Sequence, residues 1–175
     1  MMCDLKRFGS LILLGFLLLT MGCGFHLRGE IPESAKKESL AMTGVSKKNP
    51  LYVNFVQKLA VAGGVLAAKP SEAFAIINVT KARQLRRPIT LSSVGRANMF
   101  DLSFLVTFEV QTPKGKILMP ERELIIRREY FNTQSTPLGQ GLEEAQIRIE
   151  MENEAAQQLL RQVLVGLKDL PPAAP

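Results

Sequence analysis

The clearest pattern along the chain is an alternation of apolar with mostly polar side chains between Phe100 and Gln111. Every second position is apolar: Phe100, Leu102, Phe104, Val106, Phe108 and Val110. This period of two predicts a long antiparallel strand with one buried face. A turn at Pro113-Lys-Gly115 follows. The next strand is predicted from Lys116 to about Phe131, with these side chains on one face: Leu124, Ile126 and Tyr130.

Two other segments repeat their apolar residues with the period of a helix. The first begins at Asn49-Pro50 and ends at Gly63-Gly64, and its apolar face is formed by Leu51, Phe55, Leu59 and Ala62. The second is predicted to begin near Leu142, after a loop over residues 136–141. Its apolar stripe consists of Ala145, Ile149, Ala156, Leu159, Leu160, Val163 and Leu167. Each helix therefore has one face that must be covered.

Two more strands complete the order of elements. They are predicted over residues 39–45 and 74–79, and the second continues into a polar segment over residues 81–88. The order strand, helix, three strands, helix predicts an α+β fold, with two helices packed on one face of a four-stranded, mostly antiparallel sheet. We expect one domain over residues 38–169, with the other sheet face partly exposed and able to bind a partner. Residues 170–175, rich in proline, are predicted to form a disordered tail.

The amino-terminal segment differs from the rest of the chain. Lys6 and Arg7 precede an apolar run from Leu11 to Leu19, about half of the roughly 20 residues that cross a bilayer. A basic start, a short apolar run and small residues after it are typical of a secretory leader. The leader is predicted over residues 1–22, and the alternative is a buried core helix.

Cys23 lies between two glycines where the predicted leader ends. This stretch resembles the lipobox of bacterial lipoproteins, from which Thr20 and Met21 depart. The resemblance implies a covalent lipid on Cys23, with an S-diacylglycerol and an N-acyl group, and a tether over residues 23–37. Because Gly24 is not an aspartate, the resemblance also implies transport to the outer membrane, held there through its lipids.

The composition disfavours most catalytic and metal chemistry. The 175 residues include two cysteines, Cys3 and Cys23, and one histidine, His26. There is no glycine-rich phosphate loop and no Gly-x-Ser-x-Gly motif, and the pair Glu143-Glu144 is explained by the solvated face of a helix. We therefore expect a protein that is not an enzyme, with no metal and no cofactor besides the lipid on Cys23.

Positive charge is the distinctive chemical feature. The chain has 22 basic and 16 acidic side chains, and five cations occur with no acid between them: Lys81, Arg83, Arg86, Arg87 and Arg96. The segment joins two predicted strands and would form the end of a long hairpin, with Lys81 and Arg83 on one side of the strand by alternation. Guanidinium groups bind phosphate oxygens through two hydrogen bonds, so this hairpin end is predicted to bind an anion. A solvated hairpin tip is the alternative.

The ligand expected for these cations follows from location. No aromatic side chains interleave the arginines, so nucleic acid is a poor fit. At the outer membrane, the abundant polyanion is lipopolysaccharide, which carries phosphates next to acyl chains. Apolar contacts for such chains are available at Leu85, Ile89, Leu91 and Val94. We therefore predict lipopolysaccharide as the ligand of the five cations.

Several stretches resemble the LptE family of lipopolysaccharide-assembly lipoproteins, also called RlpB-like. They are Cys23-Gly-Phe-His-Leu-Arg-Gly29, Ser93-Val-Gly-Arg96, Arg127-Arg-Glu-Tyr-Phe-Asn132 and the final amphipathic helix. The resemblance implies two helices on a four-stranded sheet and no enzymatic activity. It implies a lipoprotein that plugs the LptD β-barrel, helps it assemble and contacts lipopolysaccharide on its way to the outer leaflet.

The resemblance also bears on individual residues and on location. It places the protein on the outer membrane, facing the periplasm and the barrel lumen. Arg96 matches a basic hairpin residue of the family that is implicated in lipopolysaccharide binding. The family has a second basic position before the last helix, and this chain has Gln140 there. Arg83, Arg86 or Arg87 are candidates to supply the missing positive charge. The alternative function is an outer-membrane lipoprotein that binds lipid or scaffolds another envelope complex without a barrel partner.

Overall fold

The computed structural model describes residues 39–91, 93, 95–131 and 137–169, with side chains of the last range described from residue 141. The predicted leader, tether and tail lie outside the described residues, and so do Cys23, Val94 and the side chain of Gln140. The elements are β1 (Ser39–Thr43), α1 (Pro50–Val61), β2 (Val65–Leu66), a short 3-10 turn (Pro70–Glu72), β3 (Ala75–Leu91), β4 (Ala97–Gln111), β5 (Ile117–Phe131) and α2 (Pro137–Lys168).

The strands form one sheet in the order β2-β1-β3-β4-β5. β1 runs parallel to both β2 and β3, whereas β3, β4 and β5 are antiparallel neighbours. The α+β class is confirmed, but the prediction of four strands was wrong by one. The missed strand, β2, is only two residues long, and a pairing this short leaves no periodic pattern in a sequence.

Both helices bury their apolar residues against the same sheet face, which we call the helix-covered face. Alternate residues of β4 from Phe100 to Val110 join one continuous core there. α1 begins as predicted, because Pro50 follows Asn49, whose side-chain oxygen accepts a hydrogen bond from the Leu51 amide at 2.9 Å. The side chains that α1 buries also match the prediction: Leu51, Phe55 and Leu59.

β3 and β4 form a long hairpin that extends well past β1. Their pairing runs from Ile76 opposite Gln111 to Leu91 opposite Ala97. β1 accompanies β3 only as far as Thr43 opposite Asn78. Beyond that point, the rest of β3 pairs on one side only within the described residues, so its other edge has exposed backbone groups.

α2 departs from the prediction in its first half. It begins at Pro137 rather than near Leu142, and the predicted core positions Ala145 and Ile149 are exposed, with Ile149 at 56 %. The buried side chains are Met151, Ala155, Ala156, Leu159, Leu160 and Val163. The reason is length: α2 has 32 residues and α1 has 12. At 1.5 Å per residue these are about 48 Å and 18 Å, so α1 covers only part of α2.

Candidate functional site

The outer half of β3 presents three cations on the open face of the sheet. Lys81, Arg83 and Arg87 lie opposite Thr107, Leu105 and Asp101 of β4, which alternate with the residues that β4 points toward the helix-covered face. A bulge between Val79 and Lys81 sets this phase. All three side chains are exposed, and none makes an ion pair or a side-chain hydrogen bond with a described residue. This row, which we call the basic face of β3, can therefore bind an external anion.

Arg86 lies on the other side of the same strand, toward the helices. Its Nη2 donates to the Tyr130 hydroxyl at 3.1 Å, and its Nε is 3.0 Å from a carboxylate oxygen of Glu144. The guanidinium carbon lies 3.5 Å from the centre of the Phe100 ring, a cation–π contact. The structure thus separates Arg86 from its predicted companions and gives it partners within the fold.

Glu144 is the centre of a polar network that holds the first half of α2 to the sheet. It accepts hydrogen bonds from Tyr130 and, at 3.0 Å, from Nε of Arg148. Arg148 also donates to Gln84 of β3, and Gln84 donates to Glu152 at 2.5 Å. The network was not predicted from the sequence, because the acids of α2 were interpreted as a solvated surface.

The network changes the protonation of its members. Burial acts to raise the pKa of Glu144, but the hydrogen bonds from Tyr130 and Arg148 and the charge of Arg86 outweigh it and lower the pKa below its ordinary value of 4.5. Burial and the hydrogen bond to Glu144 raise the pKa of Tyr130, and the hydrogen bond to Tyr130 raises the pKa of Arg86. Burial also raises the pKa of Glu152. At neutral pH the network therefore contains a charged Glu144 between two arginines.

Arg86→Gln is expected to lower the free energy of unfolding by about 1–2 kcal/mol at pH 7, because it removes a charge-assisted hydrogen bond and a cation–π contact. A carboxyl with a lowered pKa stabilises the fold above its unfolded-state pKa and loses that contribution as the pH falls through its folded-state pKa. The deficit of Arg86→Gln should therefore shrink below pH 4.5, the ordinary pKa of Glu144. Urea denaturation of the variant and the unaltered protein at pH 7 and below pH 4.5 measures this loss of free energy of unfolding.

Arg83→Gln is the matched control, since it removes the same group from the same strand on the open face. It should change the free energy of unfolding by less than about 0.5 kcal/mol at either pH. Equal losses in the two variants would contradict a structural role for Arg86.

Arg96 lies at the turn between β3 and β4, next to the last pair of the hairpin. Ten residue steps along β4 separate that pair from the one at Lys81, a distance of about 30 Å. The cations therefore extend along the hairpin from Lys81 to the turn rather than gathering at its tip. Near the turn, the exposed apolar side chains are Ile89 at 45 %, Leu91 at 64 % and, on β5, Phe131 at 51 %.

The open face also has charges that sequence analysis did not assign to it. Arg127 of β5 pairs with Ser103, the β4 residue opposite Leu85, so it lies two strands from the basic face of β3. Glu129 lies opposite Asp101 in the same way. Their positions could have been predicted, because Arg127 and Glu129 alternate with the strand positions that Leu124 and Ile126 place on the buried face. On the open face, positive charge is therefore concentrated on β3, whereas β5 carries both positive and negative side chains.

The described part of the chain contains neither a cluster of metal ligands nor a membrane-spanning helix. No group of three or more His, Cys, Asp or Glu side chains there is close enough to hold a metal ion. Among those same residues, no helix combines the length and apolar character needed to cross a bilayer. The described features that concern binding are thus the basic face of β3, the turn at Arg96 and the surfaces of α2.

The sequence of the domain matches a known family. A model of the family described as "LptE: Lipopolysaccharide-assembly" matches residues 39–163, from the start of β1 into the last part of α2. The chain belongs to the LptE family. This confirms the family resemblance, and the matched range includes the basic face of β3, Arg96 and the Glu144 network.

Curated relatives of this LptE-family chain have the same family name. The LPS-assembly lipoprotein LptE of Photorhabdus laumondii is 28 % identical over 154 residues, covering 87 % of this chain and 84 % of that protein. The protein of the same name from Pectobacterium atrosepticum is 24 % identical over 164 residues, covering 90 % and 85 %. The similarity thus extends over most of each chain.

Solved structures share the fold. A lipoprotein B from Nitrosomonas europaea, determined by solution NMR, superposes with a TM-score of 0.68 at 22 % identity, covering 83 % of this chain and 94 % of that one. The crystal structure of the rare lipoprotein B from Shewanella oneidensis has a TM-score of 0.62 at 19 % identity, covering 73 % and 92 %. At these identities the likeness supports the α+β fold.

Proposed function

We propose that this LptE-family member is an outer-membrane lipoprotein, anchored through acylated Cys23, that plugs the LptD β-barrel and helps it assemble. We propose further that it contacts lipopolysaccharide during transport to the outer leaflet. The observation that carries the proposal is the family match over residues 39–163. Relatives named LPS-assembly lipoprotein cover most of the chain, which supports the same role. The role consists of binding and assembly and includes no catalytic step.

The basic face of β3 is the proposed contact for lipopolysaccharide phosphates. Arg83 and Arg87 can each present two parallel N–H groups to a phosphate, and Lys81 adds a third charge. Leu85 lies between the two arginines on the same face and is half-buried, so it offers an apolar contact beside them. The edge of β3 that pairs with no described strand can add backbone N–H donors. Arg96 extends this surface to the turn.

Arg86 is assigned a different role from the other four cations. It was predicted to bind lipopolysaccharide, but its guanidinium contacts Tyr130, Glu144 and the Phe100 ring. Binding an external phosphate would compete with these contacts. We therefore propose that Arg86 positions α2 and that the ligand is held by Lys81, Arg83, Arg87 and Arg96.

Neutralising the four ligand cations is expected to weaken binding of purified lipopolysaccharide about tenfold or more, because it removes the charged contacts to phosphate. A tenfold loss corresponds to about 1.4 kcal/mol of binding free energy. The variant is Lys81→Gln, Arg83→Gln, Arg87→Gln and Arg96→Gln together, measured by titration in detergent. Affinity of the unaltered protein should fall as salt rises, because exposed charges are screened beyond about 10 Å at 0.1 M salt.

The control removes four exposed charges elsewhere: Lys47→Gln, Lys48→Gln, Arg161→Gln and Lys168→Gln. It has the same net charge as the test variant, so a loss of affinity confined to the test variant identifies the surface. Equal affinities in the two variants would contradict the proposed contact. Arg86→Gln should bind lipopolysaccharide normally while being less stable.

The anchor and the partner can be tested in one sample of native protein extracted from membranes in detergent. Mass spectrometry of the amino terminus is expected to find Cys23 as the first residue, carrying the diacylglyceryl and acyl groups. The same preparation should contain a β-barrel protein. A chain that starts at Met1 or has an unmodified Cys23 thiol would refute the anchor. A different envelope complex in place of the barrel would favour the scaffold function.

A further inference from the structure

The first half of α2 presents three apolar side chains to solvent among its described residues. Leu142 is 75 % exposed and Ile149 is 56 % exposed, and Ala145 is exposed between them. Residues at spacings of three, four and seven share one side of a helix, so these three form one stripe. On the sheet-facing side of the same segment, half-buried Ile147 packs against the core beside the charged residues Glu144 and Arg148, so the exposed stripe is a second apolar surface of the helix.

The stripe continues a face of α2 that is buried farther along the helix. Ala156 follows Ile149 by seven residues, and Leu160 lies five helical turns from Leu142; both are buried in the core that α2 shares with α1. The two helices pack directly on each other. Since α1 is much shorter than α2, the same face is left uncovered where α1 does not reach.

Two sets of contacts prevent the helix from turning this stripe inward. Met151 and Ala155 are buried against the sheet and set the rotation of the second half. In the first half, Glu144 and Arg148 lie on the side facing the sheet and bond to Tyr130 and Gln84. Rotating the first half would break this network and leave charges unpaired, which is costly. The apolar stripe therefore remains available to a partner.

The charges beside the stripe indicate which partner fits. Glu143 and Glu150 are both exposed along one side of it, and neither forms an ion pair with a described residue. The cations Lys81, Arg83 and Arg87 are on the opposite side of the sheet. An anionic lipid would be repelled by the two acids, whereas lysine or arginine side chains would be attracted.

We propose that the stripe formed by Leu142, Ala145 and Ile149 is a docking surface for a protein that presents apolar side chains beside lysine or arginine. The partner would bury this face in the first half of α2, as α1 buries it in the second half. This surface is separate from the lipopolysaccharide contact on β3. The proposal rests on the proposed function only in making the β-barrel the first candidate partner.

A photo-crosslinking amino acid placed at residue 149 of the full chain, in cells that make the lipoprotein, tests the surface. The control has the same amino acid in place of Val165, which is 57 % exposed on the same helix. Irradiation is expected to give an adduct with one protein at residue 149 and not at residue 165. Peptide mass spectrometry identifies that protein, and Leu142→Lys with Ile149→Lys should reduce its co-purification at least tenfold.

The double lysine variant should keep its melting temperature and its affinity for purified lipopolysaccharide. Glu143→Lys with Glu150→Lys should reduce co-purification several-fold, and unchanged co-purification would overturn the basic character of the partner. An adduct with lipopolysaccharide or with a second copy, an equal adduct at residue 165, or no adduct at residue 149 would each overturn the docking surface. A β-barrel that co-purifies without a residue 149 adduct refutes this inference alone. An adduct with another protein refutes the barrel as the occupant, and it supports the inference only if the crosslinked peptide presents apolar side chains beside lysine or arginine; a peptide without them overturns it.

Discussion

Val163→Asp is expected to remove a large part of the free energy of unfolding of the domain. The Val163 side chain is fully buried in the core that α2 shares with α1 and the sheet. A carboxylate there would lose its hydration without gaining a partner, and the packing of the valine would be lost as well. The combined cost is at least about 4 kcal/mol, a large part of the 5–15 kcal/mol that stabilises a typical domain. Far-UV circular dichroism during urea titration measures the loss.

Val165→Asp provides the matched control. It is the same substitution two residues further along α2, where the side chain is 57 % exposed. An acid near the end of a helix costs about 0.3–1 kcal/mol through the helix dipole, and we expect no further loss. Similar unfolding midpoints for the two variants would contradict the rotation of α2 described here and with it the outward orientation of Leu142 and Ile149.

Gly44→Ala is expected to destabilise the domain by about 3 kcal/mol or more. Gly44 follows β1 with a φ of +85°, and a Cβ atom there would lie 1.9 Å from the backbone oxygen of Val79. Val79 pairs with Phe108 of β4 and is buried, so its backbone is held within the sheet and cannot move aside easily. The substitution would thus separate β1 from β3 at the base of the hairpin.

Gly63→Ala separates the effect of the clash from that of the backbone conformation. Gly63 has a φ of +80°, and a Cβ atom there would have nothing within 4 Å. Its cost should be limited to about 1–2 kcal/mol, the penalty of a side chain in the left-handed region. Urea denaturation of both variants gives the difference, and equal losses would refute the close approach of Gly44 to β3.

The regions predicted well from sequence were those whose structure depends on neighbouring residues. The alternation from Phe100 to Val110 placed β4 and its buried face correctly. Asn49 and Pro50 placed the start of α1, and its buried residues followed from the helical period. Alternation also put Lys81 and Arg83 on one side of β3, as the register shows. In each case the period of the backbone itself determines which side chains share a face.

Other features depended on contacts between residues far apart in the chain. Arg86 was grouped with its basic neighbours, because nothing near it in sequence indicates Tyr130 or Glu144 as partners. Ala145 and Ile149 were assigned to the core for a similar reason: the period shows that a helix has an apolar face, but not whether another element covers it.

The sequence by itself determined the α+β class, the family, the long hairpin and the residues that supply positive charge to it. Only the tertiary structure decided that Arg86 has partners within the fold, and where the apolar face of α2 is left uncovered. The physical reason is that periodicity records the local geometry of the backbone, whereas cover and charge pairing depend on the lengths and register of elements that meet only in the folded chain.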